Sequence, residues 1–227
     1  MKGIFQTVFP FESGDLKKNW SEAWCNPAFR LKAILTALIL LTIVCTVPGF
    51  FSYIQSRPGF RMNDVVLNFI PAKDVSWFIF SLIYPLVILT LINLIPQPAL
   101  FLKCLQAYCI LMLLRFCTLL LVPLEPQLSL VPLQDPFIGR FFYSNSVVTK
   151  DLFFSGHVST LFLVFLANPV PRLSKLLLAS TCLIAGLIIV QHVHYTIDVL
   201  AAPAFAWLSF KIAGLHIFAP KEKNVFG

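Results

Sequence analysis

Three of the four histidines fall in two short polar segments of an otherwise apolar chain. The first reads Asp151-Leu-Phe-Phe-Ser155-Gly156-His157; the second reads His192-Val-His194-Tyr195-Thr196-Ile197-Asp198. His194 and Asp198 are four apart, so on a helix they would share one face within hydrogen-bond reach. A carboxylate that holds one imidazole nitrogen fixes the tautomer and leaves the other nitrogen as a nucleophile or base. Ser155-Gly156-His157 at a helix start would offer backbone N–H groups, a hydroxyl and an imidazole. Helix N-termini bind phosphate oxygens through such N–H groups and the helix dipole. A protonated His157 there would hand its proton to a leaving oxygen.

Each of these residues also has a structural reading. His157 would cap a helix or bond a loop carbonyl, and His194 with Asp198 would pin two helices together. An ionisable cluster at membrane depth favours the chemical reading. His192-x-His194 is half of a metal site, but no Cys or carboxylate joins it at ligand spacing, so no metal or other cofactor is expected. His216, near the opposite end of its span, is expected to be ordinary.

Positioning these groups falls to six long apolar runs. They cover residues 33–53, 75–95, 99–122, 152–167, 173–193 and 195–218. Most approach the ~20 residues that cross a hydrocarbon core of ~30 Å. The fourth is short as purely apolar sequence and starts among polar residues, which suggests a helix beginning at a polar cavity. Pro48-Gly49 is expected to kink or end the first helix. The expected fold is therefore an all-α, polytopic membrane bundle of six transmembrane helices spanning 33–218. Residues 1–32 form a cytoplasmic N-terminal segment and 219–227 a cytoplasmic tail. Within the former, Trp20 and Trp24 lie one turn apart, with Lys17 and Lys18 just before them. Residues 15–24 thus read as an interfacial helix.

Composition agrees. The chain is 58% hydrophobic and 12% charged, with 23 phenylalanines. Soluble domains average about 45–50% apolar and about 25% charged. The net charge of +7 is spread over span ends and includes no long basic block, so anionic lipid head groups fit better than nucleic acid. The six cysteines show no ligand spacing, and all but Cys25 lie in apolar runs, so buried free thiols are expected. Lysine and arginine are concentrated at 2–32, 172–175 and 211–223. Arg57, Arg61, Lys73, Arg140 and Lys150 make up the smaller opposite set. That bias puts both termini in the cytoplasm and both histidine segments at the extracytoplasmic face.

At these residues the chain resembles the lipid phosphatase/phosphotransferase superfamily named after type 2 phosphatidic acid phosphatases, which carries S-G-H in one motif and H-x3-D in the other. It is more similar to the sphingomyelin synthase branch. That branch has an acidic residue four before the Ser, as Asp151 is, and H-Y-[ST]-x-D, as in His194-Tyr195-Thr196-Ile197-Asp198. Arg115-Phe-Cys-Thr118, Val122-Pro123-Leu124 and Pro71-Ala-Lys-Asp74 also look like segments of that branch. The resemblance covers roughly residues 65–215. The wider superfamily's K-x6-R-P and the Ser-Arg ahead of its second histidine are missing. The branch's Cys-Gly is Thr149-Lys150 here, and its Thr after the first His is Val158.

The resemblance implies that His194 attacks phosphorus to form a phosphohistidine, that Asp198 orients it, and that His157 protonates the departing alcohol oxygen. Ser155 and the Gly156 amide would hold phosphate oxygens, with Arg115, Asp151 and Tyr195 beside the substrate. Arg115 would bind lipid phosphate or pair with Asp74 or Asp198. The expected partners are a phospholipid and a lipid alcohol, either ceramide or diacylglycerol. Three readings stay open: head-group transfer, hydrolysis by a lipid phosphate phosphatase or phospholipase C-type enzyme, and a non-enzymatic lipid-binding or transport protein.

Overall fold

A computed structural model describes residues 13–135 and 148–215. The helices are α1 (Ser13–Cys25), α2 (Pro27–Ser56), α3 (Val65–Phe69), α4 (Ser76–Leu94), α5 (Pro98–Leu121), α6 (Gly156–Ala167), α7 (Pro171–Val190) and α8 (Thr196–Ala213). Proline stands at the start of α2, α5 and α7, where its missing N–H costs nothing and its fixed φ suits a helix. Asn26 caps α2 by accepting the Ala28 and Phe29 amides at 2.9 and 3.4 Å.

Among the described residues, five helices (α2, α4, α5, α7 and α8) are long and apolar enough to cross a membrane. Their outward faces carry large apolar side chains: Trp77 and Leu121 are each 78% exposed. Such faces need lipid, not water. The protein is an all-α, polytopic membrane protein. The sixth apolar helix, α6, has 12 residues, about 18 Å of rise, and is short of the ~30 Å core.

The core lies between α6 and its neighbours. Leu161 on α6, Leu177 and Ile184 on α7, Ile79 on α4 and Ala107 on α5 are fully buried in one cluster. α8 packs on α5 and α6 through Ala202 and Ala206, both without exposed surface. Small side chains let helix backbones approach closely where lipid supplies no hydrophobic drive.

Several boundaries differ from expectation. α2 starts at Pro27 and runs through Pro48 to Ser56, so Pro48-Gly49 does not end it. Pro85 and Pro203 also sit inside continuous helices. The fourth run becomes helical only at Gly156, because polar contacts hold 151–155 in an irregular conformation. α8 ends at Ala213; His216 and the expected end at Phe218 lie outside the described residues, as does Arg140. Cys104 and Cys109 are buried, but Cys25, Cys45, Cys117 and Cys182 are exposed. The last three point outward from membrane helices, so their apolar surroundings are the bundle's exterior, not its core.

At the N-terminal end, α1 is tied to the α4–α5 turn. Asn19 Nδ2 donates to the Pro96 carbonyl (2.9 Å) and Trp20 Nε1 to that of Ile95 (2.7 Å). Trp20 and Trp24 both stand edge-on to Phe29, as their shared face requires. At the other end, Phe60 and Leu124 form a short parallel bridge. A Cβ at Gly59 would lie 2.6 Å from the Pro123 carbonyl oxygen, so only glycine permits this approach.

Candidate functional site

Ser155 is the N-cap residue of α6, which puts Gly156 and His157 in its first turn. First-turn amides have no intrahelical acceptor. The Ser155 amide donates to the backbone carbonyl of Asp198 at 3.1 Å, and this bond joins the two histidine segments. The Ser155 hydroxyl is buried and has no hydrogen-bond partner among the described residues. His157 packs edge-on against Phe80, with ring centroids 5.8 Å apart. Its Nδ1 is buried without a partner among the described residues. Arg115, Asp151 and Asp135 face the same cavity as its ring.

His194 is not in a helix, since Tyr195 is the N-cap residue of α8. The expected helical i,i+4 pair is therefore replaced by a capping arrangement. The Asp198 carboxylate accepts the Tyr195 amide at 3.0 Å and stands 3.5 Å from His194 Nδ1. The closer partner of that nitrogen is the Leu152 carbonyl, at 2.7 Å. A carbonyl only accepts, so Nδ1 carries the proton and Nε2 holds the lone pair in the neutral ring.

Arg115 is 4% exposed and pairs with neither Asp74 nor Asp198. One guanidinium nitrogen donates to the Phe154 carbonyl, and the other meets Asp151 at 2.5 Å. A Cβ on Gly156 would lie 2.9 Å from Arg115 Cζ. Arg115 thus braces the start of α6 from below. Asp74 is satisfied by the Ser76 hydroxyl (2.7 Å) and amide (3.0 Å), and these two donors hold its carboxyl below the usual range against a smaller upward push from burial.

A cavity of about 380 Å³ opens beside this cluster. Arg115, Asp135, Asp151, Gly156 and His157 line its polar end, and apolar side chains of α2, α4 and α5 line the rest. Ser155, His194, Tyr195 and Asp198 are all 2% exposed or less and stand behind this wall, not on it. The Tyr195 hydroxyl donates to the Glu125 carbonyl (2.7 Å) and accepts the Met62 amide (3.1 Å), so it ties the loops rather than facing the cavity.

Several contributors have long-range partners that no local sequence signal gives. Asp64 caps α3 and also accepts both the amide and the hydroxyl of Thr196, at 2.6 and 3.0 Å. Burial alone would raise its carboxyl, but the Thr196, Leu67 and Val66 donors outweigh that and hold it below the usual range. The fully buried Gln191 side chain bonds Ser76 Oγ at 2.7 Å and accepts the Val75 amide at 3.2 Å. His192 has φ 58. Its Nε2 donates to the Ile70 carbonyl and its Nδ1 meets the Ser129 hydroxyl at 2.6 Å. Its neighbourhood is a turn clamp. Lys150 pairs with Glu125 at 2.6 Å.

Residues 150–215 match the family model described as PAP2 superfamily C-terminal. The PAP2-like stretch carries Asp151, Ser155, Gly156, His157, His194 and Asp198, and the match supports a relationship to that superfamily over α6, α7 and α8. Arg115 and the α2–α5 wall of the cavity lie outside it. No curated protein matches the chain.

Proposed function

We propose that this protein is an integral membrane lipid phosphotransferase that moves a phosphodiester head group from a phospholipid to a lipid alcohol, ceramide or diacylglycerol. The PAP2-like match supports a phosphatase or phosphotransferase. The missing K-x6-R-P favours a phosphodiester, which needs less charge neutralisation than a dianionic monoester. The observation that carries the reading is His157 on the wall of a mostly apolar cavity, with its segment joined to that of His194 through the Ser155 amide and the Asp198 carbonyl, and the His194 Nε2 lone pair preserved by the Leu152 carbonyl.

In the first step His194 Nε2 attacks phosphorus, the bond from phosphorus to the diacylglycerol oxygen breaks, and His157 protonates that oxygen. In the second, His157 takes the proton of the incoming lipid hydroxyl, whose oxygen attacks phosphorus as the phosphorus–nitrogen bond breaks. Asp198 stabilises the charged His194 ring. The Ser155 hydroxyl and the first-turn amides of α6 hold phosphate oxygens, and Arg115 with Asp151 keeps that turn in place. The lysine and arginine distribution supports cytoplasmic termini and an extracytoplasmic site. α1, with its paired indoles, fits an interfacial helix on the cytoplasmic surface.

The test is incubation of purified wild-type and His194→Ala protein with labelled phosphatidylcholine, phosphatidylethanolamine and ceramide, followed by lipid separation. Transfer of label to ceramide or diacylglycerol by the wild type alone is expected. Water-soluble label would mean hydrolysis, and an unchanged lipid pool would mean a lipid-binding or transport protein.

A further inference from the structure

The cavity is larger than the reaction needs. A phosphate beside His157 and Arg115 would fill only its polar end, while the remainder continues inward as an apolar lane. On α2 the lane is lined by Leu40, Ile43, Val44, Val47 and Phe51, a single stripe at helical spacing. Ile83 and Val87 face it from α4, and Leu111 and Met112 from α5. The α4 stripe begins at Phe80, edge-on to His157, and that of α5 at Arg115 itself. Phe50 stacks on Phe116 at 4.3 Å, and Cys109 Sγ–H donates to the Thr36 carbonyl at 3.9 Å. These contacts close one side of the lane along α5.

The lane's length is informative. From the level of His157 and Arg115, seven residues of helix lead to the deepest lining residue, Phe80 to Val87 on α4 and Arg115 to Tyr108 on α5, a rise of about 10 Å. That is about two-thirds of the ~15 Å depth of one leaflet, half of a ~30 Å hydrocarbon core. A lipid with its phosphate at His157 would therefore place one chain along the whole lane. Leu40, Val87 and Tyr108 are the deepest residues on their helices to line it.

We propose that this lane is a ruler for one hydrocarbon chain of the lipid whose head group is processed, with Leu40, Val87 and Tyr108 as its floor. The proposal rests on the reaction above and names the substrate feature that the site measures. One chain lies between α2, α4 and α5, and the other stays in the bilayer. Chains longer than the lane must bend at the floor, while shorter ones lose apolar contact at about four-fold in binding per missing methylene.

Two measurements test it on the full chain. Turnover is compared across phosphatidylcholines with chains of about 8 to 18 carbons, for wild type, Val87→Trp and Leu40→Trp; loss of about two methylenes of lane should move the ratio of short- to long-chain turnover about fifteen-fold. In parallel, phosphatidylcholine with a photoreactive terminal carbon is cross-linked and the labelled peptides are mapped. Label at the depth of Leu40, Val87 or Tyr108, together with a shifted optimum in either folded variant, is expected. An unchanged chain-length profile in both folded variants overturns the ruler. Label on outward residues such as Leu35 and Leu121 overturns it whatever the turnover does. Label inside the lane without turnover of any lipid keeps the chain site and overturns the reaction instead.

Discussion

The Leu152 carbonyl oxygen lies 2.7 Å from His194 Nδ1, nearer than the Asp198 carboxylate at 3.5 Å. The tautomer of the proposed nucleophile is thus set by a backbone group that no substitution removes. In the usual triad the carboxylate alone does this, and its amide replacement costs about 10⁴-fold in turnover. Here Asp198→Asn should cost only about 10- to 100-fold, because only charge stabilisation is lost. The check is the rate of head-group release by Asp198→Asn beside His194→Ala. Equal, complete loss in both would show that the Leu152 carbonyl does not hold the ring.

Asp64 should make stability acid-sensitive. Its folded-state pKa lies below the ordinary value because the Thr196, Leu67 and Val66 donors outweigh burial. The stabilisation is therefore complete above the unfolded pKa of about 3.9 and is lost as pH falls through the folded value. Glu125, lowered chiefly by the Lys150 ammonium, adds to the same limb. Asp64→Asn should cost about 1–3 kcal/mol near neutrality. The difference from wild type should shrink towards acid. Thermal unfolding in detergent between about pH 3 and 7 reads this directly, and a pH-independent difference would contradict it.

The apolar runs, and thus the class of fold, were readable from composition and length, because lipid-facing helices tolerate few charges. The sequence led us to expect that Ser155-Gly156-His157 meets the His194–Asp198 segment, and the Ser155 amide does join the two at the Asp198 carbonyl, but the geometry of the meeting was not readable. The helical spacing of His194 and Asp198 suggested one helix face. In fact Asp198 folds back onto the Tyr195 amide, and the helix starts too late to include His194. His192-x-His194 looked like half of a metal site. A φ of 58 at His192 sends that ring to Ser129 and Ile70 instead. Asp64 reads locally as a helix cap before Val65, a recognisable signal. Its second partner, Thr196, is too distant in sequence for any local rule to find. Arg115 was legible as a functional candidate because it is a charge inside a span. That Asp151, itself a candidate, would be its partner in place of Asp74 or Asp198 was not, since both form part of a loop–helix brace assembled only in three dimensions.

Gly156 tests how tightly that brace is built. A methyl group there would sit 2.9 Å from Arg115 Cζ and 3.1 and 3.2 Å from its terminal nitrogens. A flexible surface arginine would swing aside, but this one is anchored at both Phe154 and Asp151. Gly156→Ala should therefore destabilise the protein by about 1–3 kcal/mol through overpacking. Turnover should also fall, since His157 is the next residue. Combining it with Arg115→Ala, which removes the obstructing group, should give less than the sum of the two stability losses. Strict additivity in detergent melts would place the cause elsewhere.

Arg115 and Asp151 are best separated by a double-mutant cycle. The guanidinium makes two differently directed bonds from a position 4% exposed, and a lysine ammonium cannot reproduce that fork. Arg115→Lys should therefore behave nearly like Arg115→Met. Breaking a fully buried pair costs about 3–5 kcal/mol, but the Asp151 side chain keeps 31% of its surface exposed. The loss should be nearer 2 kcal/mol, since water rescues the stranded carboxylate in part. Asp151→Asn should cost less than Arg115→Met, because Arg115 keeps the Phe154 carbonyl. The double variant should show about 1–3 kcal/mol of coupling, as expected for residues in one network. If Arg115 served only as a phosphate ligand, Arg115→Met would raise KM and leave the melting temperature unchanged. As a brace for the α6 turn, it should lower the melting temperature and kcat together, because misplacing His157 by even about 1 Å slows the transfer itself.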